Sequence, residues 1–418
     1  MEKDIISTAS AKDLAANFIM DIEEGCSLEK REIFLYAKEN GVDICSKKEW
    51  RFVRYLYRRE FWKKKLAIII PTANRSEAIE YYLKAMGSTL SILGIDIIVY
   101  DSSDTDDTFQ VVKKCRKDKA KTAQYRRYVG NFDGVSLDEK VRAALSEYCD
   151  CYEYLWVCRD GLIINFSAIY NGIYCILQTS RPDVISVYSK EEDYEKIGCK
   201  VYDNCTDFFG DNFRHMTILG AIIVKSRFAQ QVIDAEPIDS ELNYGLWYPT
   251  AVFHYLADHK ANMQTFVGNT FFSNAFATPS SFWNRKGRAL WQWGERWYKI
   301  VKNMPEVYNK EKDRVRIIEM QDFHPFGNME LLIMRGTKSL TYKSIRENKR
   351  YLIHVTRTPI WWFYCVATIP SFIARKVFGN PRNIITRTLY LIGKRIVKVT
   401  GRKREEPDGH TATNNWWR

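Results

Sequence analysis

Three short polar segments hold residue types able to bind a charged small molecule: Pro71-Thr-Ala-Asn-Arg75, Asp101-Ser-Ser-Asp104 and Arg159-Asp160-Gly161. A guanidinium can clamp phosphate oxygens in a fork, and a carboxylate can help hold a hard divalent cation. Taken singly, each segment also has an ordinary explanation as a turn or a helix cap. Lys140 is a further cation, either a partner for phosphate or carboxylate or a plain exposed helix lysine.

The elements around these segments give them a common setting. Leu66 to Ile70 is a continuous apolar run that fits a strand buried on both faces, and Ile95 to Tyr100 is a second. Ser76 can cap a helix through about Met86, and another helix starts near Phe109. Ser136 to Glu139 reads as a capping box for a helix through Tyr148, and Asn165 as the cap of a helix through Leu177. Tyr154 to Cys158, Val184 to Tyr188 and Ala221 to Val224 complete the strands. Alternating strand and helix marks a parallel, doubly wound sheet, whose ligands bind at the carboxyl ends of the strands. All three polar segments follow strands, so the fold would gather them.

In this order the segments resemble the family-2 glycosyltransferases, which share the Rossmann-like GT-A fold. The resemblance rests on Leu66-Ala-Ile-Ile-Ile-Pro-Thr-Ala-Asn-Arg75, Asp96-Ile-Ile-Val-Tyr-Asp-Ser-Ser-Asp-Thr-Asp-Asp-Thr108 and Tyr154-Leu-Trp-Val-Cys-Arg-Asp-Gly161, and it covers roughly residues 64–270. It implies an α/β fold, a mostly parallel sheet with helices on both faces, and transfer of a sugar from a nucleotide-diphosphate donor, with a UDP-sugar expected. By the same resemblance Pro71, Thr72, Asn74 and Arg75 cradle the nucleotide. Asp101, with Ser102 and Ser103, meets base and ribose.

The family usually sets two or three acids after the third of these strands to hold Mg²⁺ or Mn²⁺, whereas this chain keeps Asp160 between Arg159 and Gly161. Asp160 is then the expected metal ligand, supported by phosphates and water. Arg159 can alternatively neutralise the leaving diphosphate. Inversion at the sugar carbon needs a general base, and Asp239 and Glu241 are the candidates in the region where the family places one. His254 fits a packed histidine better than a base. A nucleotidyltransferase would share the sheet, but no Gly-rich basic loop follows the first strand.

Outside the sheet, residues 1–62 read as a helical extension, 63–280 as the catalytic domain and 281–334 as an aromatic-rich helical segment. Trp283, Trp291, Trp293 and Trp297 could line an acceptor site by stacking on sugar rings, or could simply fix the helix to the core. Residues 335–418 form a basic tail. About 17 Lys and Arg face a single acid, Glu347, between Arg335 and Arg404, more positive charge than the +12 of the whole chain. Ile385, Leu389, Ile392, Ile396 and Val399 fall on one helical arc opposite Arg387, Lys394, Arg395, Lys398 and Arg402, an interfacial pattern.

The run Pro359 to Phe372 is too short to span a bilayer and suits its surface, with Arg375 and Lys376 toward lipid phosphates. Without a nucleic-acid-binding signature, the partner expected for this charge is an anionic membrane, not nucleic acid. Met1 to Asp13 lack the features of a secretory signal, and the ten scattered cysteines contain no C-x-x-C pair, so reduced, mostly core thiols are expected. The resulting expectation is a peripheral enzyme on the cytoplasmic membrane face, transferring sugar to a lipid-linked saccharide. Its rival is a catalytically silent relative acting as a binding subunit.

Overall fold

The computed structural model describes residues 27–42, 44, 46–129, 137–165, 168–189, 198–238, 246–268, 270–273, 288–319 and 324–378. Two helices, Ser27–Glu39 and Lys47–Trp62, precede the sheet. Gly41 ends the first in the left-handed region (φ 65°), and the Ser46 side chain caps the second by accepting from the Glu49 N–H.

The main sheet contains β1 (Leu66–Thr72), β2 (Asp96–Asp101), β3 (Ala123–Arg127), β4 (Tyr154–Val157), β6 (Val184–Ser189), β7 (Gly198–Tyr202), β8 (Ile222–Lys225) and β9 (Met263–Gly268). Its order is β3-β2-β1-β4-β8-β6-β9-β7, while β5 (Leu162–Ile164) pairs with β10 (Phe271–Ser273) in a separate ribbon. β3, β2, β1 and β4 run parallel, β8 enters antiparallel between β4 and β6, and β7 closes the far edge antiparallel to β9. This is the expected α/β class, with a mixed half beyond β4.

Every residue of β1 is buried, and its alternation divides the core. Leu66, Ile68 and Ile70 pack with Tyr82, Val112 and Ile176 on one face, whereas Ala67 and Ile69 pack with Val141, Phe208 and Val252 on the other. Helices Ser76–Leu93 and Asp107–Asp118 cover the first face; Leu137–Tyr148, Cys205–Met216, Ser226–Ala235 and Trp247–Asp258 cover the second. The second cluster extends without a break through Trp297, Leu331, Leu352 and Phe363, so the described helices between Arg288 and Thr368 share its core.

Several local expectations change. Ser76 is the first residue of a helix that runs on to Leu93, and Arg75 stands at its N-cap without a side-chain cap bond. Gly94 (φ 77°) supplies the left-handed stop that the shorter reading missed. After Asn165 comes a π-helical turn, Ala168–Ile173, before helix Tyr174–Thr179. Ser136 lies outside the described residues. Of eight described free cysteines, three (Cys115, Cys149 and Cys158) are buried, fewer than expected.

Candidate donor site at the split between β1 and β4

The parallel half of the sheet splits at its carboxyl edge, and Pro71 shows where. The Ile69 carbonyl accepts from Cys158 N–H on the β4 side, and the Thr72 carbonyl accepts from Ser102 N–H on the β2 side. By strand alternation the Pro71 nitrogen faces β4. Pairing with β4 ends at Ile69↔Val157, while pairing with β2 continues to Thr72↔Asp101. A residue without an N–H therefore costs no ladder bond there. The strand order also reverses at this point, since β2 lies on one side of β1 and β4, reached later in the chain, on the other. Such a switch point opens a crevice between strand ends.

Two loops form one wall. Asn74 is left-handed (φ 54°), which Asn tolerates better than most residues, and its side chain locks onto the second loop. Its Nδ2 donates to Asp104 Oδ2 at 2.7 Å, its Oδ1 accepts from Asp104 N–H at 3.0 Å, and its N–H donates to Ser103 Oγ at 2.7 Å. Ser103 in turn donates its hydroxyl and N–H to Asp101 Oδ1. A cavity of about 260 Å³ lies beside this stitching, lined by Asn74, Ser76, Ser103, Thr105, Asp107 and Thr108.

Asp101 is fully buried and takes a further hydrogen bond, at 3.0 Å, from the Tyr125 hydroxyl. Tyr125 comes from β3, a strand that the sequence reading left out, and its ring packs against Phe109. Desolvation raises its pKa, and the neighbouring Arg127 works against that shift. The polar, charged run around it hides an edge strand, but alternation from the buried Ala123 could have revealed it.

The other wall belongs to the end of β4. Asp160 is buried, with Arg75 Nη1 at 2.8 Å from its Oδ1 and the Thr72 hydroxyl donating to its Oδ2 at 3.2 Å. Burial raises its pKa despite the opposing pull of Arg75, Thr72, Arg159 and Lys140. Arg159 is exposed, and desolvation by its surroundings lowers its pKa while Asp160 pulls it the other way.

Lys140 departs from the exposed-lysine alternative. It is buried, and its Nζ donates to the Thr72 carbonyl at 2.7 Å. Desolvation brings its pKa down to about 8, while the charges of Asp101 and Asp160 push the other way. The structure thus brings together Pro71, Thr72, Asn74, Arg75, Asp101, Ser102, Ser103, Lys140, Arg159 and Asp160.

Asp239 and Glu241 lie outside the described residues. His254 faces Glu236, with Nδ1 3.8 Å from Oε2, and desolvation lowers its pKa. Trp293 and Trp297 are buried; Trp297 stacks on Phe213 and donates to the Arg316 carbonyl, so both serve packing and not an open sugar-binding wall.

The donor set gives a divalent cation little to bind. Asp160 is the one carboxylate at the end of β4, and a guanidinium already sits on one of its oxygens. Among the described residues no three His, Cys, Asp or Glu side chains come together as a metal site. At the end of β4 the described residues thus offer a Mg²⁺ or Mn²⁺ one carboxylate, Asp160, which is already paired with Arg75.

No protein-family model matches the chain, and no curated protein matches it in sequence. Among solved structures it is similar to residues 1–349 of S. aureus TarS in complex with UDP-GlcNAc, at 13% identity and TM-score 0.44 over 72% of this chain and 88% of that one. It is also similar to the mannosyltransferase PcManGT from Pyrobaculum calidifontis in complex with GDP-Man and Mn²⁺, at 11% identity and TM-score 0.39 over 90% and 100% of the two chains. A third likeness is to glucosyl-3-phosphoglycerate synthase from Mycobacterium tuberculosis, at 12% identity and TM-score 0.33 over 49% and 70%. At these scores the likeness is partial, and the functional reading rests on this chain's own geometry.

Proposed function

We propose that this chain is an inverting glycosyltransferase that moves a sugar from a nucleoside-diphosphate donor, expected to be a UDP-sugar, to a lipid-linked saccharide at the cytoplasmic membrane face. One observation carries the reading: the carboxyl ends of β1, β2 and β4 bring Thr72, Arg75, Asp101, Arg159 and Asp160 to the single crevice where the sheet splits. The cavity between the first two loops is of a size for part of a nucleotide, below the ~300–1,000 Å³ of sites that enclose whole ligands.

In the proposed reaction the acceptor hydroxyl oxygen attacks the anomeric carbon. The bond from that carbon to the diphosphate breaks, its electron pair leaves on the diphosphate oxygen, and the hydroxyl proton passes to a carboxylate base, with Asp239 or Glu241 proposed for that role. Negative charge grows on the leaving diphosphate, where fixed cations lower the barrier. The membrane part of the proposal draws on Trp361 and Phe372, exposed on helices Ile360–Thr368 and Ser371–Phe378, and on the exposed Arg375 and Lys376.

The test is release of nucleoside diphosphate from a panel of UDP- and GDP-sugars by the full chain. Release from at least one donor, lost in Asp160→Ala, supports the reading. The lone acid at the end of β4 favours a second reading, a nucleotide-binding subunit without turnover. UDP binding without release from any donor would select it.

A further inference from the structure

We infer that the donor diphosphate is held directly between the guanidinium groups of Arg75 and Arg159, with Lys140 behind them, so that donor binding needs no divalent cation. This inference rests on the donor-site reading and specifies how that site recognises its ligand.

Charge is the first ground. Three cations, Arg75, Arg159 and Lys140, gather about the Asp160 carboxylate at the end of β4, so this part of the crevice carries more positive than negative charge, while Asp104 and Asp107 lie on the wall formed by the first two loops. A pair or trio of acids would make such a cleft negative, and a metal would be needed to reverse it before a diphosphate could enter. Here the reversal is built from side chains.

Geometry is the second. Arg75 stands at the N-cap of helix Ser76–Leu93 with no side-chain cap bond, where the first N–H groups of the helix and its dipole also favour an anion. Its Nη1 engages Asp160 at 2.8 Å, yet 37% of the side chain stays exposed, so the fork is oriented by the buried acid and still accessible. The Arg159 residue is exposed, and its guanidinium makes neither hydrogen bond nor ion pair among the described residues, although it lies within the field of Arg75 and Asp160. Two like charges held near each other, one of them lacking an ion-pair partner, repel until an anion bridges them. A diphosphate offers oxygens on two phosphorus atoms, and guanidinium forks match phosphate bidentately.

The Thr72 carbonyl is the third. It accepts from both Ser102 N–H and Lys140 Nζ, which anchors the lysine beneath the strand end. There it contributes charge and does not compete for the phosphate oxygens. A dication at Asp160 would have to take the Oδ2 that accepts from Thr72 and would meet Arg75, Arg159 and Lys140 as positive neighbours.

The experiment is titration calorimetry of the full chain with UDP, once in EDTA and once in Mn²⁺. The expected result is dissociation constants within about threefold of each other, and at least a tenfold loss in Arg159→Ala in both buffers. Tenfold corresponds to about 1.4 kcal/mol. Arg159→Lys should bind between the two, because charge remains while the fork is lost. Arg159 is exposed, so these variants should fold, and equal thermal midpoints would verify it. Binding seen only in Mn²⁺, or strengthened tenfold or more by it, would overturn the inference while leaving the donor site standing. No UDP binding in either buffer would overturn both.

Discussion

Lys140 is the residue whose chemistry is easiest to follow by pH. Its folded pKa of about 8 lies below the ordinary lysine value of 10.5, because burial penalises the ammonium. Below pH 8 the lysine is charged in both states and the fold bears the desolvation cost. Between about pH 8 and 10.5 the unfolded chain holds a proton that the folded chain has released, so this group makes stability rise with pH. Anion binding should move the opposite way. UDP affinity should fall as pH rises through about 8, and Lys140→Met should flatten that decline; an unchanged profile in the variant would assign the titration elsewhere. Tyr125 offers a second check. Removing its hydroxyl takes a donor from the buried Asp101 carboxylate. Tyr125→Phe should therefore cost about 1–2 kcal/mol in chemical denaturation and weaken UDP binding several-fold. The order of Arg75, Asp101 and Asp160 along the chain was legible because each follows an apolar run. The burial of Lys140 was not, since a lysine on a helix reads as solvated unless the packing of that helix against β1 is known.

Among the elements, β1 and β2 were plain because both are buried on each face and leave an uninterrupted apolar run. β3 and β7 were hidden for the opposite reason. They are edge strands with exposed, charged positions, such as Arg126 and Lys200, so their composition resembles a loop. β8 was seen as a strand, but its antiparallel insertion between β4 and β6 is set by long-range pairing that no local pattern encodes. The tryptophan-bearing helical turns over 288–303 show the same limit, because spacing alone does not decide between packing and sugar stacking. With Trp297 buried against Phe213, Trp297→Ala should lower stability by about 3–5 kcal/mol in urea unfolding. If the variant lost transfer at unchanged stability, an acceptor role would return. Gly87 marks another fixed contact, since an added Cβ would come within 2.4 Å of the Ala120 Cβ. This close approach seats the later turns of helix Ser76–Leu93 against the segment that leads into β3.

At the scale of the whole molecule, the core runs from the sheet into the helices up to Phe363, Val366 and Ala367, and beyond it Phe372 and Ile373 are exposed while Ala374 is buried. The run expected to lie in a membrane surface is divided: Phe363 and Val366 belong to the core, whereas Trp361 and Phe372 are 63% and 71% exposed. Pro370 separates its two helices, Ile360–Thr368 and Ser371–Phe378. No helix among the described residues is long and apolar enough to cross a membrane. The basic arc over 385–402 lies outside the described residues. Deleting residues 381–418 should release the protein from anionic vesicles in a sedimentation assay, and Phe372→Glu should weaken the full chain without changing its thermal midpoint; continued binding by both would place the contact elsewhere. The donor site carries the rest of the proposal, and a crystal structure of the UDP complex addresses it most directly. The prediction is uracil and ribose against Asp101, Ser103 and Thr105, with the diphosphate bridging Arg75 and Arg159 at the split between β1 and β4. A nucleotide bound away from that crevice, or a diphosphate that touches neither arginine, would contradict it.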